Sequence, residues 1–140
     1  MQLYAARTTT RVSVPLVLSH VQAGFPSPAD DYLEGSIDLN EHLIERPAST
    51  YLVRIIGNSM VQAGIFAGDL VVVDRSLTPK HNDIVLAQVD NEITIKRLHR
   101  QGGRVQLRAE NKAYPPIDFT DETELVIWGV VVHSIREFKH

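Results

Sequence analysis

The chain has 140 residues, a hydrophobic fraction of 44%, a charged fraction of 22% and a formal charge of -3, which suits one soluble globular domain with a single core. It contains no cysteine, so disulfides, thiolate catalysis and cysteine-ligated metals are excluded, and a reducing cytoplasm fits. The slightly negative balance gives no electrostatic reason to expect direct sequence-specific DNA binding or an acidic membrane surface.

Residues 1–13 are polar and rich in Thr and Arg, with no clear period. Val14 to Leu18 is apolar, but Pro15 interrupts it and His20 follows. Neither a signal peptide nor a run of roughly 20 apolar residues for a membrane helix is read here. The segment from Ala23 to Asp31 holds Gly24, Pro26 and Pro28, a composition that opposes helix and central strand. The expectation is an extended N-terminal arm over residues 1–24, ahead of a β-domain over residues 25–140. A short helix is expected from Ser27 or Asp30, and another over Asn40 to Glu45, before Pro47.

From Thr50 the pattern turns to strands. Tyr51 to Ile56 is β-branched-rich and ends at the turn pair Gly57-Asn58, and Asp69 to Asp74 is a short apolar run of the kind that forms a buried strand. Ile84 to Val89 and Glu92 to Leu98 flank Asp90-Asn91, a tight hairpin signal. Val105 to Ala109 is a further strand and Leu125 to Ile135 a long last one, with Gly129 marking a bulge or bend. The fold class is mainly β, barrel-like or sandwich.

Three segments carry the chemistry. Gly57-Asn58-Ser59-Met60 follows a strand, Gly68-Asp69-Leu70-Val71-Val72 opens the next, and Asn82-Asp83-Ile84-Val85 leads into the hairpin bearing Ile93-Thr94-Ile95-Lys96-Arg97. A serine hydroxyl is a poor nucleophile until a base takes its proton. Lysine serves as that base only when neutral, which requires burial. Lys96 shares a strand face with Thr94 and Leu98, so desolvation is plausible on position alone. Backbone amides at Asn58 and Ser59 are candidates for an oxyanion hole. Taken singly, Ser59 reads as a turn former or helix N-cap, Lys96 as a solvated strand residue, and the Gly-Asp and Asn-Asp pairs as strand-opening turns.

Together these boxes resemble the LexA/UmuD and signal-peptidase class of Ser–Lys peptidases, from about Val14 to His133. The arm segment Val21-Gln22-Ala23-Gly24-Phe25-Pro26-Ser27-Pro28 resembles the cleavage region of UmuD-type proteins. Ala23 departs from the Cys of the best-known one but stays within the Ala–Gly cut of related repressors. Asn82 stands where relatives often have Gly. The stretches Asp31-Tyr32-Leu33, Ile37 to Asn40 and Glu110 to Pro115 extend the likeness. A short arm before Gly24, with neither a helix-turn-helix domain nor a membrane anchor, points to the UmuD type.

The resemblance implies a LexA/signal-peptidase-like β-domain, with Ser59 as nucleophile, Lys96 as general base and Ala23–Gly24 as the chain's own cleaved bond. It further implies a cytoplasmic homodimer, a RecA-type recombinase filament on single-stranded DNA as cleavage helper, and a Y-family DNA polymerase catalytic subunit as partner. The shortened form would be its accessory subunit in translesion synthesis during the SOS response. No cofactor and no metal is expected, because the six histidines show no ligand spacing. A Ser–His–Asp set using Ser59 with His81 or His99 stays open, without specific support. Asp30-Asp31 reads as a helix start or solvated pair, and Trp128 as core or interface. The rival reading is a non-enzymatic interaction module with the same fold that binds a polymerase or other partner at full length. A second is a peptidase acting on other chains.

Overall fold

The computed structural model describes residues 2–6, 8, 10–11, 13–17, 33–119 and 125–139. The Ala23–Gly24 bond, the helix expected from Ser27 or Asp30 and the 24/25 arm boundary lie outside the described residues. Two compact units are distinguished: Met1–Ala6 with Arg46–His140, and Arg7–Glu45.

The architecture is mainly β. In the second unit, β2 (Ser13–Val17) pairs antiparallel with β3 (Leu33–Asp38), and the short helix α1 (Leu39–Leu43) follows. Asp38 starts this helix because its carboxylate accepts the backbone N–H groups of Asn40 and Glu41, satisfying donors that have no partner in the first turn. The helix thus begins one residue earlier and ends two residues sooner than the Asn40–Glu45 expectation.

Among the described residues, the first unit holds an antiparallel sheet of eight strands. These are β1 (Gln2–Ala5), β4 (Thr50–Arg54), β5 (Leu70–Asp74), β6 (Ile84–Val89), β7 (Glu92–Gln101), β8 (Arg104–Arg108), β9 (Ile117–Asp118) and β10 (Leu125–Ile135). Their spatial order is β1-β4-β5-β10-β6-β7-β8-β9. Residues 2–5, which show no period in the sequence, form the β1 edge by pairing with β4.

Val71-Val72-Val73 and Val85-Leu86-Ala87 are buried without alternation, as continuous apolar runs are when both faces of a strand are covered. One apolar cluster gathers Val53, Ile55, Met60, Ile65, Val71, Val73, Leu86 and Ile95. A second holds Val85, Ala87, Leu98, Leu107 and Val130. The β6–β7 hairpin turns at Asp90 and Asn91, both at positive φ (46° and 71°), which short polar side chains tolerate. The β7–β8 turn uses Gly102-Gly103 in the same way.

The long strand β10 pairs with β5 on one side and β6 on the other. Its register shifts between Ile127 and Gly129, where the sequence marks a bulge. A Cβ at Gly129 would lie 2.6 Å from Val73 Cγ1 and 3.0 Å from the Asp74 carbonyl oxygen. Trp128 packs against the first cluster, and its indole N–H donates to Gln88 Oε1 at 3.3 Å, a core role for this residue.

Candidate active site

Ser59 sits where the chain leaves β4 and turns back. Ile55 stays in the core, Gly57 takes a positive φ of 80°, and Met60, only 3% exposed, drops into the first cluster. Ser59 is therefore held between an exposed turn and a buried anchor. From the other side of the site, β7 presents Lys96 opposite Val85 of β6. The hairpin register fixes this position, and a one-residue slip would turn Lys96 to the opposite face.

The Lys96 Nζ lies 3.0 Å from Ser59 Oγ. Two more oxygens complete its surroundings: Thr94 Oγ1 and the Ile95 carbonyl at 3.1 Å. Thr94 and Lys96 thus share a face, as alternation along the strand requires. A neutral amine has two N–H donors and one lone pair. With the donors on Thr94 Oγ1 and the Ile95 carbonyl, the lone pair remains for the Ser59 hydroxyl.

Lys96 is 9% exposed, and burial pulls its pKa below the ordinary lysine value of 10.5. Among the described residues no carboxylate pairs with Lys96, so no counter-ion there offsets the cost of burying the charged form. The neighbouring Arg97, by contrast, is paired with Glu110 at 2.6 Å.

The turn carrying Ser59 is braced from a distant segment. Asn111 donates its side-chain N–H to the Asn58 carbonyl at 2.9 Å, and the Tyr114 hydroxyl donates to Asn58 Oδ1 at 2.8 Å. The Gln62 N–H donates to the Glu110 carbonyl at 2.8 Å. Among the described residues, the backbone N–H groups of Ser59 and Met60 have no acceptor.

Asp69 and Asn82, parts of the same sequence boxes, serve the framework. Asp69 is 3% exposed. It accepts two hydrogen bonds from Arg136 at 3.0 Å each and one from the Phe66 N–H at 2.9 Å. The Arg136 bond outweighs burial and lowers its pKa. Asn82 takes a positive φ of 74°, a conformation for which glycine is the easiest residue and asparagine the next.

His81 and His99 are placed against each other, ring centroids 4.8 Å apart, and the Ser59 hydroxyl meets Lys96. The described residues contain no group of three or more His, Asp or Glu side chains able to hold a metal ion. A cavity of about 650 Å³ at the ends of β4, β5 and β10 borders neither Ser59 nor Lys96. Two of its cations are already engaged, Arg136 by Asp69 and Arg54 by the Gly68 carbonyl at 2.9 Å.

Residues 15–132 match the family described as Peptidase S24-like. The chain belongs to that peptidase family. Among its relatives, SamA of Salmonella typhimurium is 46% identical over 125 residues, 89% of this chain and 86% of SamA. MucA of Escherichia coli is 41% identical over 139 residues, 98% of this chain and 94% of MucA. LexA repressor 1 of Pseudomonas putida is 39% identical over 121 residues, 86% of this chain but 59% of the repressor. The resemblance to the LexA/UmuD class read from the boxes is borne out at this level, as is the mainly β fold. No helix among the described residues is long and apolar enough to cross a membrane.

Thr94, Asn111 and Tyr114 belong to the site without standing out in the sequence as functional. Asn111 ahead of Pro115 is legible as a turn former. Its bond to a residue 53 positions earlier has no local signature.

Proposed function

We propose that this S24-family peptidase cuts its own Ala23–Gly24 bond, with Ser59 as nucleophile and Lys96 as general base. One observation carries the reading: a buried lysine, without a counter-ion among the described residues, whose Nζ lies 3.0 Å from a serine Oγ. Lys96, as the free amine, takes the Ser59 hydroxyl proton while Oγ bonds to the Ala23 carbonyl carbon. The developing oxyanion is met by backbone N–H groups, with those of Asn58 and Ser59 as candidates. The C–N bond then breaks, and the Lys96 ammonium returns its proton to the departing Gly24 nitrogen. Water, deprotonated by Lys96, hydrolyses the ester and frees the arm.

A small side chain at Ala23 and none at Gly24 suit a shallow site and a kinked scissile peptide. A helper that promotes cutting acts by binding the cleavable state more tightly. A RecA-type filament on single-stranded DNA is the helper in this reading. The shortened chain would then act in the cytoplasm as a homodimer and as accessory subunit of a Y-family polymerase in SOS translesion synthesis. β10 pairs with β6 over its first half and with β5 over its second, and exposed side chains such as Val126 and Val132 are candidates for a homodimer contact through it.

Mass spectrometry of purified wild type, Ser59→Ala and Lys96→Ala, incubated side by side at mildly alkaline pH, tests the cleavage. A fragment beginning at Gly24 from wild type alone is expected. If wild type stays intact even with recombinase filaments, the reading fails in favour of a non-enzymatic interaction module. Equal cutting in all three means a contaminating protease.

A further inference from the structure

The brace on the Ser59 turn grips one particular peptide group, the one joining Asn58 to Ser59. In a planar trans peptide the C=O and the following N–H point in opposite directions. Whatever fixes the Asn58 carbonyl therefore also aims the Ser59 N–H. The turn's own bond to that carbonyl, from the Val61 N–H, is long at 3.4 Å. The bond from the Asn111 side chain is shorter at 2.9 Å, within the range where hydrogen bonds are strong and directional. The Asn58 side chain is held as well, by the Tyr114 hydroxyl at 2.8 Å. On the opposite side of this peptide, the Ser59 N–H has no acceptor among the described residues.

We propose that Asn111, supported by Tyr114, is a positioning residue for the self-cleavage reaction: by holding the Asn58 carbonyl it points the Ser59 N–H at the oxyanion. This rests on the Ser59–Lys96 reading above. Asn111 touches neither Ser59 Oγ nor Lys96 Nζ in any hydrogen bond, so it acts on where the charge develops and not on the proton transfer. Its own geometry is set locally. Asn111 Oδ1 accepts the Ala113 N–H at 3.0 Å and its carbonyl accepts the Tyr114 N–H at 3.1 Å, a turn that leaves the side-chain NH₂ free to reach Asn58. The Gln62 N–H bond to the Glu110 carbonyl and the Arg97–Glu110 ion pair tie the same turn to both sides of the site.

Asn111→Asp separates the two jobs of this side chain. The carboxylate keeps an acceptor for the Ala113 N–H but loses the donor to the Asn58 carbonyl. Self-cleavage of the full chain is followed across pH for wild type, Asn111→Asp, Asn111→Ala and Tyr114→Phe, with thermal unfolding in parallel. Both Asn111 variants should reach a plateau rate about tenfold to a hundredfold below wild type, short of the roughly 10²–10³ for deleting an oxyanion donor outright. The pH midpoint, which belongs to Lys96, should stay where it is in wild type. Tyr114→Phe should slow cutting only a few-fold, on the order of one neutral hydrogen bond.

Plateau rates within about twofold of wild type in either Asn111 variant would overturn the inference. So would a shifted midpoint with a restored plateau, because Asn111 would then be acting through Lys96. Slow cutting by Asn111→Asp beside normal cutting by Asn111→Ala would be a charge effect and would also overturn it. Should Asn111→Ala lose its cooperative unfolding, Asn111→Asp and Tyr114→Phe carry the test. Silence of the wild type would remove the underlying cleavage reading itself, an outcome distinct from all of these.

Discussion

Among the described residues, β5 with its flank and β7 treat buried ionisable side chains in opposite ways. At the ends of β5, Asp69 and Asp74 are 3% and 2% exposed, and each has an arginine partner: Arg136 at 3.0 Å and Arg46 at 2.6 Å. Asp74 is also held by Ser49 and by both the hydroxyl and the N–H of Ser76. Burial alone would raise its pKa, but these bonds outweigh it and bring the value down to about 2. On β7, Lys96 is 9% exposed and its partners among the described residues are neutral oxygens. A buried charge with a full set of partners makes a framework joint. A buried amine without a counter-ion sheds its proton early, and here its nearest contacts include a serine hydroxyl. The difference between the two regions separates the structural boxes of the sequence from the chemical one.

The two regions should differ most in their effect on the reaction. Lys96→Met and Ser59→Ala should each slow self-cleavage at least about a thousandfold, within the range for loss of a general base or nucleophile, as read by the yield of the Gly24 fragment. Residual cutting near the wild-type rate in either variant would place the chemistry elsewhere.

Stability should respond in opposite directions in the two regions. Asp69→Ala removes the acceptor of the Phe66 N–H and the partner of Arg136 and should lower the midpoint of denaturant unfolding. Lys96→Met should instead raise the melting temperature at neutral pH. The sign follows from the lowered pKa: between it and 10.5 the unfolded chain binds more protons, so wild-type stability rises with pH across that window and the full penalty applies below it. A lower melting temperature for Lys96→Met would mean that the amine is comfortably solvated.

Asp74 sharpens the contrast with acid. Its folded pKa of about 2 lies below the ordinary 3.8, so its contribution is present above 3.8 and fades as pH falls towards 2. Roughly 2 kcal/mol should be lost over that interval. Asp74→Asn should flatten that part of the stability curve, and an unchanged acid limb would show that the network holds no charge.

The smallest effect belongs to Thr94→Val, which removes one oxygen beside Nζ while keeping the shape and β-branching of the side chain. Cleavage should slow about tenfold or less, with little change in melting temperature. An unaffected rate would mean that the Ile95 carbonyl suffices to orient the amine.

Much of this was legible because strands and their turns announce themselves locally. Ile84–Val89 and Leu125–Ile135 emerge with the boundaries read from their apolar runs, and Gly129 lies at a bulge where a side chain has no room. Ser59 and Lys96 were legible as members of spaced boxes, although their 3.0 Å approach depends on register and on the buried Met60 anchor. The strand at Gln2–Ala5 was not legible, because an edge strand borrows its order from the ladder with β4 and needs no apolar period of its own. The Asn58 brace was equally hidden, since it joins residues more than fifty positions apart through single polar contacts.

The most direct test of the account is the proton affinity of Lys96 itself. NMR titration of its side-chain carbon next to Nζ, in full-length Ser59→Ala protein that cannot consume itself, reads that affinity site by site. A midpoint clearly below 10.5 is the predicted result, the amine being free at pH values where other lysines are still charged. A midpoint at or above 10.5 would contradict the account, because Lys96 would then hold its proton where the reaction needs it to take one.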